Sequence, residues 1–63
     1  MSNTETNQMI ENLILNAENG EIFGGLRQRD ANRYQQIAWN NGRGVRIEVE
    51  NSPIRTYRAV VVF

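Results

Sequence analysis

Val45-Arg46-Ile47-Glu48-Val49-Glu50-Asn51-Ser52-Pro53-Ile54-Arg55-Thr56-Tyr57-Arg58-Ala59-Val60-Val61-Val62-Phe63 decides the fold of this chain. Val45, Ile47 and Val49 alternate with Arg46, Glu48 and Glu50. After Asn51-Ser52-Pro53, Tyr57, Ala59, Val61 and Phe63 alternate with Thr56, Arg58, Val60 and Val62. A period of two is that of a strand with one buried face, and Asn-Ser-Pro is turn chemistry, so the stretch predicts an antiparallel hairpin. Parity constrains its loop. Val45, Ile47 and Val49 share a face with Tyr57, Ala59 and Val61 only if the loop has an odd number of residues, because a one-residue slip turns one strand inside out. A three- or five-residue loop centred on Pro53 satisfies this, and the five-residue form (51 to 55) sets Glu48 opposite Arg58.

The last strand is apolar on both sides at its end, since Val60 and Val62 lie opposite the core-facing residues. Such a pattern belongs to a strand covered on both faces. A 63-residue chain has little left for the second face. The expected cover is another copy, in a homodimer, or a different protein, through face packing or edge pairing. The internal alternative is cover by the N-terminal helix and residues 22 to 26.

Upstream, residues 1 to 4 are expected to fray, with Ser2 or Thr4 as N-cap, and Ser2-x-x-Glu5 has the capping-box spacing. A helix then fits to about Glu18, because Met9, Ile10, Leu13, Ile14 and Ala17 form one apolar stripe and Asn19-Gly20 is a stop signal. Residues 21 to 26 read as a short strand or a connector. Residues 27 to 41 fit a helix capped by Asp30, with Tyr34, Ile37 and Ala38 on one face and Asn40-Asn41-Gly42 as its end. The competing reading is a strand from Tyr34 to Trp39 entering a hairpin at Asn41-Gly42, but its alternation is poor. The order α, short β or loop, α, β-hairpin places the chain in the α+β class, as one small domain over residues 1–63 with helices on one face of an antiparallel sheet.

With neither Cys nor His, disulfides, a conventional zinc site and thiol or imidazole catalysis are excluded, and no cofactor motif is present. No stretch approaches the length of a membrane span, and the polar, acidic start is unlike a secretion leader, so the expected location is cytoplasmic. The short, leaderless, cysteine-free chain suggests a bacterial or phage origin.

All seven basic residues are Arg, and Lys is absent. Residues 1–26 hold Glu5, Glu11, Glu18 and Glu21 without a positive charge, while all the arginines follow, so the zero net charge hides an acidic start and a basic remainder. The arginine fork grips carboxylates, phosphates and aromatic faces and tolerates interfaces better than an ammonium. Arg27, Arg29, Arg33 and Arg43 share a segment with only Asp30 to balance them, and Tyr34 and Trp39 lie among them. Such interleaving suits an acidic protein surface or a nucleic-acid backbone with stacked bases. A pI of about 6.2 disfavours a dedicated nucleic-acid module. Glu48 and Glu50 on one strand face have the spacing of an acid–base pair, but an ion pair of Glu48 with Arg58 accounts for them better. Gly24-Gly25 and Gly42-Arg43-Gly44 lack the spacing of phosphate-binding loops and read as turns. The expectation is a non-enzymatic regulator or inhibitor that occupies a partner protein's surface. Arg27, Arg29, Arg33 and Arg43 supply polar anchoring, Trp39 an aromatic anchor, and Val60 and Val62 apolar contact. The alternative is a nucleic-acid-binding module built on the Arg27–Arg43 segment.

Overall fold

The structure, a computed structural model, describes residues 3–51 and 53–63, with side chains from Thr6 onward. Among these residues the order is α1 (Asn3–Leu15), β1 (Ile22–Leu26), α2 (Gln28–Asn40), β2 (Val45–Asn51) and β3 (Arg55–Val61). β3 lies between β1 and β2 and is antiparallel to both. β1 and β2 therefore run in the same direction on either side of it, joined through α2, which is a split β-α-β arrangement. Both helices cover one face of the sheet, giving the α+β layering that the element order implied.

The β2–β3 register follows from side-chain parity. Val45 opposes Val61, Ile47 opposes Ala59 and Glu48 opposes Arg58, with pairing continuing to Asn51 opposite Arg55. The shorter, three-residue connection is the one adopted, centred on Pro53. Ala59 and Val61 point into the helices and are fully buried, and Val45 beside them is buried. Val49, on the same face, is half exposed, because the hairpin extends beyond the helical layer.

β1 carries an irregularity between Phe23 and Leu26, which pair with Ala59 and Tyr57. Two β1 steps lie between Phe23 and Leu26 beyond the first, against two steps in all on β3, so β1 holds one extra residue. Without it these side chains, three apart, would point to opposite faces. Gly25 absorbs the bulge at φ 68°, in the left-handed region open to glycine. Both apolar side chains thereby reach the core, where the Phe23 and Tyr34 rings meet at 5.4 Å, tilted by 41°.

Residues 28–40 form a helix rather than the competing strand, since Ala31, Tyr34, Ile37 and Ala38 fall on one buried stripe. Its N-cap is Arg27, not Asp30. Asp30 instead occupies the third helical position, where a carboxylate is favourable to the helix dipole without capping it. The C-terminus is a Schellman closure: Gly42, at φ 74°, donates its N–H to Trp39 C=O, and Arg43 N–H donates to Ala38 C=O.

α1 buries Ile10 and Ile14, with Ala17 just beyond its end, but leaves Met9 and Leu13 exposed, so the buried stripe is narrower than the apolar one. The helix stops at Leu15 instead of near Glu18. At that end the carbonyl of Ile14, in the last turn, and that of Ala17, just beyond it, both accept from the guanidinium of Arg43, which holds the chain in a turn. Thr4 lies inside α1 and so does not cap it, and the alternative cap, Ser2, lies outside the described residues.

Candidate functional site

The arginines separate into distinct environments. Arg43 follows the Schellman turn of α2, so its backbone is fixed, and its side chain crosses to the end of α1. Nη1 donates to Ile14 C=O at 2.7 Å and to Ala17 C=O at 2.6 Å, Nη2 to Asn19 Oδ1 at 2.9 Å, and Nε to Phe63 C=O at 3.1 Å. α1 has no basic residue in its own last turn, and Arg43 supplies both the donors and the positive charge that its carbonyl end favours. One residue thus ties together both helix ends and the C-terminus of the chain. Its fork is engaged within the molecule.

Arg46 and Arg58 both hold Glu48 on the sheet face away from the helices. Arg58 Nε donates to Glu48 Oε1 at 2.7 Å, and Arg46 contacts Oε2 at 2.9 Å. Arg58 also lies 3.8 Å from Glu50. The hydrogen bond from Arg58 is the main reason why the Glu48 carboxyl titrates below its ordinary range, with Coulombic attraction to both arginines adding to it. A carboxylate held ionised in this way serves poorly as a proton donor, and the pair with Glu50 forms an ion network.

Arg27, Arg29 and Arg33 gather at the start of α2. Arg33 is 4.0 Å from Asp30, whereas the side chains of Arg27 and Arg29 have no hydrogen-bond or ion-pair partner among the described residues. Arg27 and Arg29, together with Gln28 and Asp30, line an open hollow of about 320 Å³. Tyr34 is buried against Phe23, with its phenol pushed above the ordinary value by burial and, secondarily, by Asp30. Trp39 is 67% exposed but lies at the opposite end of α2. The basic and aromatic side chains that interleave in sequence are therefore not brought to one surface.

The bare face of the sheet is where apolar side chains converge. Ile22 lies directly opposite Val60 and is 54% exposed, while Val60 is buried by its neighbours on both adjacent strands rather than by a covering layer. Val62 donates its N–H to Gly44 C=O, and Gly20 N–H donates to Val61 C=O on the other side. Neither glycine has a side chain to shield it, and Val62 stands 42% exposed. By the alternation of β2, a side chain at Gly44 would point to this same face. That space is filled by the Phe63 ring, itself 64% exposed. Ile22, Val60, Val62 and Phe63 thus form an apolar strip across the end of the sheet. Ile22 escapes the sequence reading because its face depends on the β1–β3 register, whereas Phe63 corrects it: the alternation placed Phe63 with the core-facing residues, but β3 ends at Val61 and parity no longer sets the face of the residues beyond it.

Among the described residues no group of His, Cys, Asp or Glu side chains is placed to hold a metal ion, and no helix is long and apolar enough to cross a membrane. The chain matches no protein-family model, no curated protein and no solved structure.

Proposed function

We propose that this protein is a small, non-enzymatic regulator or inhibitor that acts by occupying the surface of a partner protein with the bare face of its sheet. The observation that carries the reading is the apolar strip of Ile22, Val60, Val62 and Phe63, bordered by the Arg46–Glu48–Arg58–Glu50 network. An apolar centre beside a charged rim is the usual anatomy of a protein-binding patch. The rim is preorganised, because Arg58 and Arg46 are already held on Glu48, so less side-chain entropy is lost on docking. Arg27 and Arg29, outside the strip, offer a second contact to an acidic partner. The experiment is affinity capture from a lysate of the source organism, with and without nuclease, using the wild type, Val62→Glu and Ile22→Glu. A protein retained by the wild type and lost by both variants, with unchanged circular dichroism, supports the reading. Material lost on nuclease treatment points to nucleic acid, and a protein retained equally by all three overturns this choice of surface.

A further inference from the structure

We propose that β2 is the docking edge for a second copy of this chain, paired antiparallel about a twofold axis at Ile47. β2 is an outer strand of the sheet with an unbroken register over residues 45–51. The other outer strand, β1, is interrupted by its glycine bulge. Bulges, prolines and lysines are the usual devices that blunt an edge, and β2 contains none of them.

The direction of its backbone groups is determined. Val62 N–H donates to Gly44 C=O and Gly44 N–H donates to Phe63 C=O, so Gly44 faces the chain end beyond β3. By antiparallel alternation, residues 46, 48 and 50 also bond to β3, and residues 45, 47 and 49 direct their N–H and C=O groups to the open edge. The Gln35 side chain, which donates to Val45 C=O at 3.2 Å, is consistent with that direction.

A second β2 bonding to these groups must pair odd-numbered residues with odd-numbered residues, which leaves few registers. Centred on position 46, Arg46 meets its own copy; centred on 48, Glu48 meets its own copy; centred on 49, Glu48 meets Glu50. Centred on Ile47, Arg46 of each chain faces Glu48 of the other, Glu50 faces Gly44, and Val45 faces Val49. The favourable charge pairs then occur twice and no like charges face one another. Residues 46 and 48 are also in the closer, non-hydrogen-bonded positions of such a ladder. Glu48 keeps Arg58 and accepts the arginine of the second copy in place of Arg46 of its own strand.

The helix flank above the β2 edge fits the same register. Trp39 lies four residues after Gln35, hence on the same flank of α2, one turn further towards the start of β2. That flank overlooks the β2 edge. In the pairing centred on Ile47, Val49 of the second copy, a helix-side residue left 51% exposed beyond its own helices, comes opposite Val45, at the level of Gln35 on this flank of α2. The product is a continuous sheet with both helical layers on one side and both apolar strips on the other.

The test uses sedimentation equilibrium of the full chain and charge-swapped variants. The wild type should form dimers within the micromolar to millimolar range. Arg46→Glu and Glu48→Arg should each be monomeric, with circular dichroism unchanged. Mixed in equal amounts, these two variants should form a heterodimer, because the acidic position 46 of one then faces the basic position 48 of the other and both pairings regain opposite charges. Recovery on mixing excludes misfolding as the cause of the single-variant loss. A monomeric wild type at about 1 mM, dimers that persist in both single variants, or a mixture that remains monomeric would each overturn the proposal.

Discussion

Replacing Arg43 by Ala removes the side chain that links the ends of both helices to the C-terminus, so its main consequence should be lost stability. The bonds to Ile14 and Ala17 are partly buried, and those to Asn19 and Phe63 are exposed. A charged hydrogen bond contributes about 1.5–3 kcal/mol when sheltered, and less where water replaces the donor. Counting about 1–1.5 kcal/mol for each partly buried carbonyl and about 0.5 for the exposed pair together, the cost is about 3 kcal/mol. For a chain this small, whose total stability is of the order of 5 kcal/mol, the melting temperature should fall by more than about 10 °C. Arg43→Lys should cost about half as much, because an ammonium keeps the favourable charge at the end of α1 but cannot span the same acceptors. Urea denaturation followed by circular dichroism gives both values. If Arg43→Ala lies within about 0.5 kcal/mol of the wild type, the range of an ordinary surface substitution, the clamp is energetically idle and the reasoning fails.

Further expectations concern the core, the bulge and the titrating groups. Ile14→Ala, at a fully buried position, should cost about 2–5 kcal/mol in the same denaturation assay. Gly25→Ala should destabilise by about 1 kcal/mol because its φ of 68° strains any residue with a Cβ, whereas Ala at a position of negative φ would not. Glu48 has a folded-state pKa below its ordinary value of 4.5, so its contribution is present above that pH and disappears as pH falls through the depressed value; Glu48→Gln should remove that part of the acid sensitivity. Tyr34 has the opposite sign. Its contribution is complete below its ordinary value of 10.0 and declines as pH rises towards the raised folded-state value, a loss that Tyr34→Phe should abolish in alkaline unfolding scans.

Where a side chain's position depends on period and parity, it was legible in the sequence. The alternation of 45–49 and 57–61 determined the hairpin, its register and the Glu48–Arg58 pair, because a strand slipped by one residue would expose its apolar face. The spacing of Tyr34, Ile37 and Ala38, closed by Asn41-Gly42, likewise determined α2. Contacts between elements distant in sequence were decided only by the tertiary structure. Arg43 reads as an exposed anchor beside a turn, and only the meeting of the two helix ends gives its fork carbonyls to hold. Gly24-Gly25 reads as a turn, yet both glycines lie within β1, and the bulge there is what lets Phe23 and Leu26 face the core together. Trp39 and Arg29 are ten residues apart in the sequence, and the helix carries them to opposite ends of α2. Local pattern records which face a residue prefers, whereas the partner it meets on that face depends on how the elements pack.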